Sequence, residues 1–197
     1  MSIQRLFFLD ALKGILIILV ILGHAIQGYE IEYQHDILFR IIYSFHMPLF
    51  FLISGYLTYK GYYDKKLIRK RFIQCIVPFL VWAILLPIYK YHTFDVSRTL
   101  IILKYPDNGL WFLYNLFFYC LIFNKSERFA DLLKCWQEVV LAILYVIILI
   151  IGGLLRTEFN AVQICWYIPF FAIGYYIRKY PSVMHNRFVS IIAGGGI

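Results

Sequence analysis

The sequence predicts an all-α fold, a polytopic membrane helix bundle of about six transmembrane helices followed by the start of a seventh. Apolar residue classes supply 62% of the 197 residues and charged residues only 15%, too few to cover a water-facing surface. The apolar residues form runs close to the ~20 helical residues that cross a hydrocarbon core of roughly 30 Å. These runs are apolar on every side, whereas the strands of a membrane barrel would alternate apolar and polar residues. The runs are therefore predicted to be helices.

The predicted spans follow one another with short loops. They cover residues 6–26, 37–59, 72–89, 110–123, 139–155 and 161–177. The fourth is short and contains Asn115, so it carries the weakest membrane signal of the six. A new apolar run begins at residues 188–193 and stops at residue 197, which predicts one membrane domain over 1–197 that is truncated at its C-terminus, or else ends in an interfacial tail.

The distribution of basic residues predicts the orientation. Five basic residues fall in one set of alternate loops: Arg40, Lys90, Arg98, Lys104 and Arg156. Thirteen fall on the other side: Arg5, Lys60, Lys65, Lys66, Arg69, Lys70, Arg71, Lys125, Arg128, Lys134, Arg178, Lys179 and Arg187. The positive-inside rule therefore places the N-terminus in the cytoplasm. Because the net charge of +8 is sorted by loop and forms no single patch, the sequence predicts a lipid bilayer as partner and no nucleic acid.

The first span contains three ionisable residues, Asp10, Lys13 and His24, and each needs a partner or a function in hydrocarbon. Lys13 and His24 are eleven residues apart, which is three helical turns plus about 20°, so they share one helix face. Asp10 is spaced to pair with Lys13. Two interpretations stay open, because Lys13 could be a snorkelling anchor and His24 could rest in the membrane interface.

The second span carries His46 two residues before Pro48, with Ser54 further along. Proline removes a backbone donor and disfavours helical geometry at the residue before it, so the helix is expected to bend beside the imidazole. The bend indicates either a polar cavity or a structural kink with His46 bonded to a freed carbonyl. The histidines lack companion ligands at usable spacing and the four cysteines form no CxxC pair, so no metal site is predicted.

A short echo links the segment from Met47 to Tyr56 with the segment from Ile168 to Tyr176. Both place a proline before two aromatic or apolar residues and a glycine-tyrosine pair, MPLFFLISGY in one and IPFFAIGYY in the other. The similarity indicates either an internal repeat, which membrane proteins often contain, or a chance match between aromatic-rich segments.

Three motifs in order resemble the type 3 membrane acyltransferases. They are QRLFFLDALKG (4–14) leading to His24, FHMPLFFLISGY (45–56) and GLWFL (109–113). The family consists of multi-span bacterial enzymes that O-acylate sugars, usually with acetyl groups, on polysaccharides, lipopolysaccharide or other exported glycans. Its signature is a basic residue and a histidine with ten residues between them, which Lys13 and His24 match. Many members have arginine where this chain has Lys13, and the family usually has about ten spans.

The resemblance implies a site and a reaction. His24 would be the catalytic base, and Lys13 would meet a phosphate of acyl-CoA, the cytoplasmic co-substrate. Asp10, His46 and Ser54 would support the site or bind substrate, and Trp111 would offer a face for a sugar ring. No bound cofactor is implied. The protein would then move an acyl group to a sugar or cell-surface glycan at the bacterial inner membrane; the alternatives are a transporter or flippase for a glycan or small solute, or an inactive fragment.

Overall fold

The computed structural model describes residues 7–29, 32–92, 95–106, 111–134, 136–155 and 158–181. Over these residues the chain forms seven α-helices, two short 3-10 turns and no strand, which confirms the predicted all-α fold. The helices are α1 (Phe7–Tyr29), α2 (Ile37–Thr58), α3 (Lys65–Tyr91), α4 (Val96–Lys104), α5 (Trp111–Leu133), α6 (Gln137–Leu155) and α7 (Ala161–Lys179). The predicted start of a seventh span at 188–193 lies outside the described residues, as do residues 6 and 110, where two predicted spans begin.

Within the described ranges, four helices are long and apolar enough to cross a membrane: α1, α2, α3 and α6. They correspond to the first, second, third and fifth predicted spans. The fourth and sixth predicted spans are also helical, within α5 and α7, which have 23 and 19 residues. These two helices contain more polar residues, so their passage through the membrane stays a prediction.

Large apolar side chains lie exposed along the spanning helices. On α1, Ile18 and Ile21 are 64% and 63% exposed, and on α6 Ile150 and Leu154 are 60% and 79% exposed. Water would make such continuous apolar faces costly, at about 25 cal/mol for each Å², whereas lipid solvates them without that cost. The exposed faces are therefore lipid-facing, as expected for a multi-pass membrane protein.

Helix α3 starts seven residues before the predicted span. This first part contains five of the thirteen basic residues on the predicted cytoplasmic side: Lys65, Lys66, Arg69, Lys70 and Arg71. Asp64 caps the helix, because its carboxylate accepts hydrogen bonds from the backbone N–H groups of Lys66 at 2.8 Å and Leu67 at 3.2 Å. The side-chain hydrogen bond from Lys60 holds the pKa of the Asp64 carboxyl below its ordinary value. One π-helical turn, Phe72–Ile76, precedes Pro78, which cannot donate to the carbonyl four residues back.

Helix α4 was not predicted, since its nine residues lie in a segment assigned to a loop. It starts at an N-cap, where the Asp95 carboxylate accepts hydrogen bonds from the Ser97 N–H at 2.9 Å and from the Ser97 hydroxyl at 2.6 Å. The Ser97 hydroxyl bond is the main cause that lowers the pKa of Asp95. A cap followed by a short amphipathic stretch was thus present in the sequence, but the segment was too short to register as a span.

The chain divides into two compact units. The described residues of the first are 7–29, 32–57 and 170–181, which comprise α1, most of α2 and the second half of α7. The second unit comprises residues 58–169. Each unit has its own buried residues, led by Phe51 and Phe171 in the first and by Tyr119 and Cys120 in the second.

In the first unit, α2 and α7 cross at two glycines. A Cβ atom added to Gly55 would collide with the carbonyl of Phe171, and one added to Gly174 would collide with the carbonyl of Leu52. Each glycine therefore lies over the carbonyl three residues before the other glycine. This reciprocal arrangement involves the two segments that share the sequence echo, and it brings their backbones into direct contact, as small residues do in membrane helix pairs.

We predict that Gly55→Ala and Gly174→Ala each destabilise the protein by about 1–3 kcal/mol, because a methyl group at either position forces the backbones apart. Gly14→Ala is the matched control, since no atom lies within 4 Å of a Cβ at that helical position. Thermal unfolding in detergent measures the effect. Equal melting temperatures for all three variants would contradict the close crossing.

Candidate functional site

The polar residues of α1 lie beside its buried stripe. Leu16 and Gly23 are buried, and Gln27 continues that stripe one turn later. His24 lies about 60° around the helix from Gln27, and Lys13 lies about 20° from His24. Lys13 is half-buried and His24 is exposed, so both stand at the edge where the buried stripe meets the surface.

Gln27 links His24 to α2. Its side-chain oxygen Oε1 lies 3.0 Å from His24 Nδ1, and the same oxygen accepts a hydrogen bond from the Tyr43 hydroxyl at 3.1 Å. These three side chains all belong to the first unit. The arrangement places one amide oxygen between a ring nitrogen of α1 and a phenol of α2.

The Tyr43 ring also contacts His46. The two rings meet edge to face with centroids 4.7 Å apart, and Phe39 stacks on Tyr43 at 4.0 Å. His46 is only 2% exposed, and its Nδ1 lies 2.6 Å from the Ile42 carbonyl. The two predicted histidines are therefore connected through Gln27 and Tyr43.

The bond that His46 makes differs from the kink interpretation in detail. The carbonyl that Pro48 leaves without a helical donor is that of Ser44, four residues earlier. His46 instead bonds to Ile42, which is four residues before His46 itself. The imidazole of His46 is thus held by the preceding turn of its own helix. The Ser44 carbonyl, which Pro48 leaves without a helical donor, is not its partner in this bond.

The remaining predicted site residues lie in three places. Asp10 is exposed on α1, one turn before Lys13. Ser54 is 4% exposed and lies about two turns after His46 on α2. Trp111 opens α5 in the second unit, where its ring stacks on Tyr167 with centroids 5.4 Å apart.

The second unit buries a separate polar network. Asn115 is fully buried, and its Oδ1 accepts a hydrogen bond from Asn160 Nδ2 at 3.1 Å. One turn along α5, the Tyr119 hydroxyl donates to the Ile164 carbonyl at 2.9 Å. These bonds explain how a predicted span tolerates an asparagine, because its amide faces protein and not lipid.

An ion pair joins the end of α4 to the 3-10 turn Glu158–Asn160 in the second unit. Lys104 Nζ lies 2.8 Å from Glu158 Oε1, and the Tyr105 hydroxyl reaches the same carboxylate oxygen at 3.3 Å. The bond from Lys104 lowers the pKa of Glu158, and the same bond raises the pKa of Lys104. Among the described ranges, no group of three or more His, Cys, Asp or Glu side chains is placed to hold a metal ion.

Comparison with known proteins identifies the family. The model of the acyltransferase domain called acyltransferase 3 matches residues 6–191. The chain belongs to the acyltransferase 3 family. Because the match extends over most of the 197 residues, it confirms the resemblance that the sequence motifs indicated.

Two relatives of the acyltransferase 3 chain are nodulation proteins NolL. One, from Sinorhizobium fredii strain NBRC 101917 / NGR234, is 30% identical over 187 residues, which cover 84% of this chain and 47% of the relative. The other, from Mesorhizobium japonicum strain LMG 29417 / CECT 9101 / MAFF 303099, is 42% identical over 85 residues, which cover 39% of this chain and 22% of the relative. The matched part of the chain thus spans about half the length of the first relative and less than a quarter of the length of the second. No solved structure matches it.

Sequence reasoning did not single out Gln27 and Tyr43. Gln27 lies one residue beyond the predicted end of the first span, whereas α1 continues to Tyr29. The available signal was spacing, because Gln27 follows His24 by three residues and Tyr43 precedes His46 by three, so each shares a helix face with a histidine. Which polar residues of two helices meet could not be read from either helix alone.

We predict that Asn115→Leu and Asn160→Gly are coupled. Each single change leaves one buried amide without its partner and should cost about 1–3 kcal/mol. Glycine is chosen at residue 160 because Asn160 has a φ of 58°. The double variant should lose less stability than the two single losses together, measured by thermal unfolding in detergent; additive losses would mean that the two amides do not interact.

Proposed function

We propose that the protein is a membrane O-acyltransferase that moves an acyl group, typically acetyl, from cytoplasmic acyl-CoA to a hydroxyl of a sugar or cell-surface glycan. Family membership supplies the reaction class. The observation that carries the assignment to this site is the position of His24, on one helix face with Lys13 and connected by Gln27 and Tyr43 to His46. A base and a cation on one face suit a reaction between a hydroxyl and an anionic donor.

The reaction follows from these groups. Neutral His24 takes the proton from the acceptor hydroxyl as its oxygen attacks the thioester carbonyl carbon, which forms the new carbon–oxygen bond. The tetrahedral intermediate then breaks its carbon–sulfur bond. The CoA thiolate leaves and accepts the proton from the imidazolium, so His24 returns to its neutral form.

Lys13 is assigned to the donor. Its ammonium can meet a phosphate of CoA as a point charge, which is the way in which lysine binds phosphate. Asp10 lies one turn away and is assigned to support Lys13. His46 and Ser54, both buried on α2, are assigned to supporting roles, and Trp111 remains a predicted acceptor contact.

The protein is expected in the cytoplasmic membrane with its N-terminus inside. The exposed basic residues at the start of α3 are then cytoplasmic, on the side where acyl-CoA is made. The segment between α1 and α2, which contains Glu32 and Asp36, is then outside.

We predict that His24→Ala lowers glycan acylation by at least about a hundredfold, because the base is lost. Lys13→Ala should mainly weaken acyl-CoA binding, and Lys13→Arg should be tolerated because its charge is retained. Mass spectrometry measures the acylation of the glycan. The glycan is taken from cells that express each variant of the protein, as its gene encodes it, at matched abundance. The control is His35→Ala, which removes an exposed histidine of the loop. Full acylation with His24→Ala would remove the histidine from the mechanism.

The orientation is tested by cysteine labelling. In a protein whose four native cysteines are replaced by alanine, Glu32→Cys should react with a membrane-impermeant maleimide in intact cells. Lys66→Cys should react only after the membrane is opened. The reverse pattern would invert the topology and place Lys13 on the wrong side for a cytoplasmic donor.

A further inference from the structure

Gln27 contacts His24 through an atom that can only accept hydrogen bonds. The amide oxygen Oε1 lies 3.0 Å from His24 Nδ1 and has no proton to give. Nδ1 must therefore carry the proton of the neutral ring. The remaining lone pair of the imidazole is then on Nε2, at the opposite side of the ring.

Tyr43 occupies the second lone pair of the same oxygen. Its hydroxyl donates to Gln27 Oε1 at 3.1 Å, so the oxygen and not the NH₂ group of the amide lies toward both groups. An amide rotated by half a turn would present hydrogens to His24 Nδ1. In the orientation that the structure shows, one amide oxygen joins the Tyr43 hydroxyl to His24 Nδ1.

Tyr43 is in turn fixed by its surroundings. A Cβ added to Gly23 would lie 2.7 Å from Tyr43 Cε2, so the ring lies directly against the α1 backbone beside His24. Phe39 and His46 contact the ring from α2. His46 is itself held by the Ile42 carbonyl, so the phenol has a defined position next to α1.

We propose that Gln27, oriented by Tyr43, is the positioning residue that holds His24 as the Nδ1–H tautomer and directs Nε2 toward the acceptor hydroxyl. The inference rests on the proposed role of His24 as base. The same Oε1 also stabilises the imidazolium that forms when Nε2 takes the proton, because the Nδ1–H bond to a carbonyl dipole strengthens as the ring becomes positive.

The tautomer is measured by ¹⁵N NMR of the histidine rings in lipid nanodiscs. The protein is labelled with ring-¹⁵N histidine, and the His24 signals are identified by their loss in His24→Ala. At a pH where the ring is neutral, the wild-type protein should show a protonated Nδ1 and an unprotonated Nε2 at His24. A protonated Nε2 at His24 in the wild-type protein would overturn the proposal without any further variant.

Substitutions of Gln27 separate positioning from packing. Gln27→Met keeps the length of the side chain and removes the acceptor, so the His24 signals should shift toward the Nε2–H tautomer. We expect kcat for acyl transfer to fall by about tenfold or more while KM for acyl-CoA changes little, since a wrong tautomer leaves binding intact. Gln27→Glu retains an acceptor and should keep Nδ1 protonated. Gln34→Met, a change of an exposed glutamine in the loop, is the control and should change neither quantity.

The outcomes separate this inference from the proposed function. If Gln27→Met leaves the tautomer and kcat unchanged while His24→Ala abolishes acylation, the positioning role is wrong and the acyltransferase mechanism stands. If His24→Ala acylates normally, the mechanism is wrong, and a shifted tautomer in Gln27→Met would show only the hydrogen bond. Should Gln27→Met fail to fold, an Nε2–H tautomer in Gln27→Glu would still contradict the proposal.

Discussion

A polar side chain within a hydrocarbon layer costs several kcal/mol unless another group of the protein pairs with it. Polar side chains on the helices of both units are paired in this way. Gln27 bonds His24 and Tyr43 in the first unit, while Asn115 bonds Asn160 in the second. Each pair joins two separate segments, so the requirement for pairing also determines which helix faces meet.

Pairing of this kind needs helices that approach closely, and glycine allows it. Lipid gives no hydrophobic force between helices, so close packing has to supply the attraction. Gly23 lets the Tyr43 ring lie on the α1 backbone, and the reciprocal contacts of Gly55 and Gly174 join α2 to α7. The exposed isoleucines of α1 and α6 complete the division between lipid-facing and protein-facing surfaces. The proposed site at His24 thus depends on the close packing that Gly23 allows, although this glycine takes no part in the reaction.

Much of the fold was predictable because membrane helices are specified by local composition. The apolar runs located α1, α2, α3 and α6, and helices α5 and α7 also formed where runs were expected. Helix α4 was missed because a nine-residue amphipathic helix has no long apolar run. In the site, the spacing of Lys13 and His24 along one helix was visible, but the Gln27–Tyr43 contact was not, since it depends on how two helices pack. Asn115 weakened the fourth prediction for the same reason, because its partner Asn160 is distant in sequence.

The central claim is that acyl transfer takes place at His24 on the joined faces of α1 and α2. It is tested most directly by an electron cryomicroscopy structure of the protein in a nanodisc with a hydrolysis-resistant acetyl-CoA analogue. A base about 3 Å from a hydroxyl that in turn approaches the carbonyl within roughly 3.5 Å requires the acyl carbon to lie within about 6.5 Å of His24 Nε2. We expect that separation, with the CoA phosphates toward Lys13. An acyl carbon more than about 10 Å from the His24 ring would contradict the account, since no single hydroxyl could bridge the gap.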